Sequence, residues 1–205
     1  MIGLLSAAFD IPLFPLNAVL FPGGSLPLRI FEMRYMDMAK SCLKDGAAFG
    51  VCLIQQGAEV IQPGAMPALP HDIGTLARIA GWDMQQLGVL NVVAHGEQRF
   101  RILTCRSERS GLLRAEVEAI ADEPVLAIPA EFARLVPLLR RIVADLAESA
   151  PPQPHRFFDA AWVGYRFAEL LPISQSARQK LLELDDSASR LKIVWRLLQQ
   201  KSRPD

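Results

Sequence analysis

The chain has 205 residues, 51% of them hydrophobic and 21% charged, and its 22 basic and 22 acidic side chains cancel. That apolar content fills one substantial core or two modest ones, and zero net charge excludes a global field that would draw DNA, RNA or anionic lipid. Cys42, Cys52 and Cys105 form no CxxC pair and the three histidines lie far apart, so neither a disulfide framework, a metal nor a cofactor is expected.

Residues 1–9 are apolar but lack a basic start, and their hydrophobic run is too brief for a signal peptide. No stretch reaches the roughly eighteen apolar residues of a membrane span, and the three unpaired thiols, read as reduced, lead to the expectation of a cytoplasmic protein. Up to about residue 121 the pattern is one of short alternating runs broken by glycine and proline. Residues 11–16 (Ile-Pro-Leu-Phe-Pro-Leu) read as an edge strand, because proline donates nothing to a ladder. Phe21-Pro22-Gly23-Gly24 reads as a turn and residues 26–30 as a short strand. Phe31, Tyr35, Ala39 and Cys42 recur at helical spacing, Asp45-Gly46 ends that helix, and Glu32 sits where a carboxylate would cap its free amides. The nearly unbroken apolar run 48–54 suits a strand buried on both faces.

Four prolines and glycines make residues 62–72 a loop. Strands are then expected at 74–83, 89–94, 98–105 and 113–120. In the third, the two-residue period points Phe100 and Ile102 inward and Arg99 and Arg101 outward. His95 falls between two strands, in a turn. Several short strands around a single helix imply a small closed or nearly closed barrel.

After Pro124 the period becomes helical, which sets the boundary between residues 1–122 and 123–205. Ile128, Phe132, Leu135, Leu139, Ile142 and Leu146 form one stripe, which Pro137 should kink or divide. Phe158, Ala161, Trp162, Tyr165 and Ala168 form the next. Ser174, or Ser176 with Gln179 as a capping box, starts a third helix. Leu184, Ala188, Leu191, Trp195 and Leu198 complete a bundle.

Five segments in order then carry a resemblance: Ile11-Pro-Leu-Phe-Pro-Leu with Leu20-Phe-Pro-Gly, Leu26-Pro-Leu-Arg-Ile-Phe-Glu-Met-Arg-Tyr, Gly74-Thr-Leu-Ala-Arg-Ile, Gly96-Glu-Gln-Arg-Phe-Arg-Ile, and Leu170-Leu-Pro-Ile-Ser. Together they resemble the N-terminal, substrate-binding domain of Lon proteases, over nearly the whole chain. The resemblance implies an α+β fold, a PUA-like β-barrel with one internal helix followed by an α-helical bundle. It also implies a non-catalytic module that binds unfolded or tagged polypeptide, with an adaptor role in protein quality control as one use. No GxxxxGK[ST] phosphate loop occurs, so neither ATPase nor peptidase activity is expected.

Other chemistries have poorer material. His95 with Cys105, or His71 with Asp72, would need the fold to assemble a reactive pair. Arg99, Arg101, Arg106, Arg109 and Arg114 form the alternative, an RNA-binding face, but glutamates interleave with them and aromatic stacking platforms are few. Methionine suits promiscuous apolar recognition. Met33 and Arg34 at the helix start, with Met66 and Leu69 in the proline loop, are therefore the expected peptide-binding residues.

Overall fold

A computed structural model describes residues 7–59 and 68–201. The chain divides into two compact units, Met1–Ala121 and Asp122–Asp205. In the first, the elements run β1 (Phe9–Leu16), β2 (Ser25–Ile30), α1 (Met33–Asp45), β3 (Phe49–Gln56), β4 (Leu69–Pro70), β5 (Ile73–Gln86), β6 (Val89–Ser107) and β7 (Leu113–Ala119). Pairing passes along β1-β7-β6-β5-β3, and a parallel β1–β3 ladder returns it to its start. That closed circuit is the connectivity of a barrel, which leaves no open edge within the ring. β4 hangs on β3, and β2 pairs with the first half of β6.

β1 is therefore not the edge strand its prolines imply. It pairs with β7 from Phe9 to Leu13 and with β3 from Leu13 to Leu16. Pro12 lies where only β7 is paired and Pro15 where only β3 is paired. Each proline thus has one flank without a ladder, and the missing N–H costs nothing there.

The helix α1 ends as expected, with Gly46 in the left-handed region at φ 60°. Its Tyr35, Met36, Met38, Ala39 and Cys42 are buried, and Tyr35 stacks on Phe14 with ring centroids 4.0 Å apart. Phe31, placed on that stripe by spacing, precedes the helix and is exposed. β3 is buried on both faces over Phe49 to Leu53.

The two strands expected at 89–94 and 98–105 are one, β6, of 19 residues. His95 sits within it, opposite Ser25 and Arg78, rather than in a turn. Gly96 is small for a different reason. A Cβ there would lie 2.3 Å from the Phe21 carbonyl oxygen, and Gly23 N–H donates to the Gly96 oxygen at 2.8 Å. The glycine admits the Leu20–Gly24 turn onto the strand.

The same turn corrects the register argument. Phe100 is fully buried and Arg101 exposed, as the period requires, and Ile102 is half-buried. Arg99, however, is buried too. It faces Thr75 directly across the ladder, and the Thr75 hydroxyl donates to the Leu20 oxygen at 2.6 Å. The turn covers the outer face on which both stand.

The second unit holds α2 (Leu135–Asp145), α3 (Ala160–Leu170), α4 (Gln175–Glu183) and α5 (Ser187–Lys201), with short 3-10 turns at Ala130–Phe132 and Ala147–Ser149. The stripe through Pro137 is divided, and Pro137 falls in the first turn of α2, where a missing N–H is harmless. α3 is buried all round from Ala160 to Ala168 rather than on one stripe, because α2, α4 and α5 all pack against it. Phe158 precedes it and is exposed. Asp159 caps α3 and Ser174 caps α4, accepting from Ala161 and Ala177. Gln179 is buried and donates to Glu183, so Ser176 makes no capping box with it.

Candidate polypeptide-binding surface

The expected site begins at α1. Met33 is 69% exposed, so the helix presents it to solvent. Arg34 does the opposite. Its guanidinium is almost wholly buried, ion-pairs with Glu32 at 2.8 Å, donates to the Gly111 oxygen at 2.7 Å and reaches the Glu59 oxygen at 3.4 Å. It also lies 4.3 Å from the Tyr35 ring centroid. Arg34 therefore fastens the helix start to the β6–β7 turn and to the root of the proline-rich loop.

That loop closes on itself at its base. Gly57 adopts φ +98°, and a Cβ on it would lie 3.0 Å from Ala68 Cα. Glu59 also accepts from the backbone N–H of Asn17. Leu69 stands on β4, paired with Gln56, and is half-exposed. Met66 lies outside the described residues. The structure thus joins the root of the loop to the start of α1 through Arg34.

Glu32 occupies the N-cap position but makes no side-chain cap bond. Its carboxylate serves Arg34 instead. Glu32→Ala is expected to lower stability by about 1–3 kcal/mol, because it removes the anion facing a buried cation. The cost should be absent on an Arg34→Met background. Additive losses in the double-mutant cycle, read from denaturation midpoints, would restore the capping role.

Two concavities flank the barrel. One, of about 440 Å³, is of mixed character: Asp10, Arg34, Asp37, Glu108 and Arg114 line it together with Pro12, Met38 and Leu112. Its charges are already matched: Asp10 takes Arg106 at 2.7 Å and Arg114 Nε at 2.7 Å. Burial raises the Asp10 carboxyl, but the bonds and charges of Arg114 and Arg106 outweigh that and hold it below its ordinary 3.8. A depressed carboxylate stabilises the fold above the unfolded value and loses that contribution as pH falls through the folded one. Acid titration of the melting temperature should therefore steepen below about pH 4. The Asp10→Asn variant should show a shallower limb, the remainder coming from Asp186, whose carboxyl is also held below its ordinary value, and an unchanged limb would contradict the assignment.

The second concavity, of about 420 Å³, is an apolar groove lined by Pro27, Leu28, Arg29, Gly81, Trp82, Asp83, Asn91, Val92 and Val93. Trp82 is 61% exposed and Leu87 96%, with Met84 and Val93 also exposed beside them. Large apolar side chains exposed at or near an apolar groove mark interaction surfaces. Sequence reading assigns residues 74–83 to a strand and does not single these side chains out. The signal was the hairpin tip, where Trp82, Met84 and Leu87 stand among polar residues.

Other chemistries are poorly served. Burial pushes all three thiols up, away from the reactive thiolate. His95 and Cys105 lie on one strand, on the order of 30 Å apart along it. Among the described residues no cluster of three His, Cys, Asp or Glu side chains could hold a metal, and no helix is long and apolar enough to cross a membrane. Of the five arginines of the alternative RNA face, Arg99 is buried and Arg106 and Arg114 are held by Asp10.

Comparison with known proteins matches this architecture. The family model of the ATP-dependent protease La (LON) substrate-binding domain covers residues 10–200. The Lon protease of Anaeromyxobacter dehalogenans is 30% identical over 93% of this chain, and cereblon of Gallus gallus is 29% identical over 64%. The chain spans about a quarter of the length of these relatives, 23% and 28% respectively. Among solved structures, a Lon N-terminal domain protein from Xanthomonas campestris superposes with a TM-score of 0.76 at 35% identity, covering 92% of this chain and 98% of that one. The N-terminal domain of the Mycobacterium avium complex Lon protease shares the fold, with a TM-score of 0.64 at 15% identity. A barrel closed by β1 and followed by a bundle around α3, matched along nearly its whole length, places this chain in the family of Lon substrate-binding domains.

Proposed function

We propose that this chain recognises unfolded or tagged polypeptide segments and performs no chemistry on them, serving as an adaptor in protein quality control. The observation that carries the reading is the apolar side chains exposed on the first unit: Met33 at the start of α1, Leu69 on β4, Trp82 and Val93 at the groove, and Met84 and Leu87 toward the β5–β6 hairpin tip. Large flexible or aromatic side chains without a fixed partner suit segments of varied sequence. Arg34 acts here as a positioning residue, because its guanidinium is spent on holding the loop root. Met66 belongs to the same proposed surface by sequence. The cytoplasm, where such segments arise, is the proposed location.

Fluorescence anisotropy with one labelled protein, offered in its native and its permanently unfolded form, tests the reading. The unfolded form alone is expected to bind, and to do so equally at low and moderate salt. Binding of single-stranded RNA with a steep salt dependence, without binding of unfolded protein, would replace this reading with the nucleic-acid one.

A further inference from the structure

The groove lies on a three-stranded sheet, β2-β6-β5, whose two outer edges differ. On the β2 side, Pro27 stands near the middle of the strand and removes a donor from the edge. On the other side, β3 leaves β5 after Ala77, while β6 continues beside it to Gln86. From Ile79 to Gln86 the outer flank of β5 therefore has no strand partner among the described residues. This segment contains no proline and no lysine; its guards against indiscriminate pairing are Asp83 and the two register shifts that flank Gly81–Asp83. Between two register shifts, over Gly81–Asp83, its outward N–H and C=O groups alternate with those turned toward β6, ready to pair with another backbone.

We propose that this edge of β5 takes up an extended, uncharged apolar polypeptide segment as an added strand, whose side chains dock against Trp82 and into the adjoining groove. The proposal rests on the polypeptide-recognition reading and adds to it the mode of binding. The groove supplies the pockets: Gly81 leaves open space, since a Cβ there would meet nothing within 4 Å. Charge selects the occupant. The rim carries one cation, Arg29, and one anion, Asp83, and the Arg29 guanidinium already leans to Gln86 Oε1 at 3.5 Å. Neither an anionic strand nor a cationic one gains from that balance, whereas a neutral segment loses nothing. Main-chain bonds would give affinity without regard to sequence, and the apolar pockets a preference for hydrophobic side chains. Register shifts on either side of the Gly81–Asp83 stretch bend the strand, so the added strand is short.

The test uses the full chain and a short acetylated, amidated peptide of alternating threonine and leucine. A single N-methyl group is moved along that peptide, and each member is titrated by anisotropy. Affinity should fall about tenfold at every second position and hold between them, as loss of one backbone bond at a time requires. Trp82→Ala, an exposed site, should weaken the parent peptide by a similar factor without moving the melting temperature. Sensitivity without a period of two would overturn strand addition while leaving polypeptide recognition intact. So would failure of the parent peptide to bind while unfolded protein still binds. If neither binds, the underlying reading fails as well. Sedimentation that shows a dimer abolished by Trp82→Ala and unaffected by the peptide would assign the edge to a second copy of the chain and overturn the proposal.

Discussion

Replacing Glu123 by alanine is expected to cost about 3–5 kcal/mol, enough to unfold much of the helical unit at physiological temperature. Arg190 is fully buried, and its guanidinium makes two bonds to the Glu123 carboxylate, at 3.1 and 2.7 Å. It also donates to the Leu181 oxygen at 2.9 Å and lies 4.0 Å from the Tyr165 ring centroid. The Tyr165 hydroxyl donates to the same carboxylate at 2.8 Å. Without Glu123 the cation stays in the interior with carbonyls and a ring but without its forked carboxylate partner. Arg190→Lys should be nearly as damaging, since an ammonium cannot make the forked pair. Gly164 belongs to this arrangement, because a Cβ there would lie 3.0 Å from Arg190 Cδ. Chemical denaturation followed at the far-ultraviolet helix signal checks the prediction. A midpoint that moves by less than the error for Glu123→Ala would show that the pair is dispensable.

Phe100→Ala is expected to cost the barrel a comparable amount, about 3–5 kcal/mol, through lost burial and the cavity left behind. The ring is fully buried in the cluster of Ile11, Leu13, Cys52, Leu76, Leu113, Ala115 and Val117. Two glycines make room for it. A Cβ on Gly50 or on Gly74 would lie 2.7 Å from Phe100 Cζ. Phe100→Leu should be milder, because it keeps most of the volume. Equal stability of Phe100→Ala and the parent chain in urea would contradict the packing.

Much of the fold was legible in the sequence because it is written in local terms. The period of α1, its Gly46 terminator, the unbroken apolar run of β3 and the pause before Pro137 each follow from a few neighbouring residues. What was not legible depends on distant ones. Gly96 reads as a turn, and only the Phe21 carbonyl pressed against it shows that it lies within a continuous strand. Arg99 reads as exposed until the Leu20–Gly24 turn is laid over it. Nothing local marks Arg166 and Arg190 for burial, yet both are fully buried in the bundle, where Glu169 meets Arg166 at 2.9 Å. Of the residues expected at the site, the surface position of one was legible. Methionine at a helix start is a sequence feature, and Met33 is exposed. Arg34 points inward because Gly111, 77 positions away, offers its carbonyl. The groove around Trp82 depends on which flank of β5 is left unpaired, and no local pattern records that.

The central claim, that this domain recognises unfolded polypeptide through apolar surface, is tested most directly by calorimetry. A permanently unfolded, weakly charged protein would be titrated into the chain at several temperatures and at two salt concentrations. Burial of apolar surface requires a binding enthalpy that becomes more favourable on warming, a negative heat-capacity change, with affinity nearly independent of salt. Absence of binding heat at every temperature, or binding that disappears as salt is raised while the heat-capacity change stays near zero, would contradict the account.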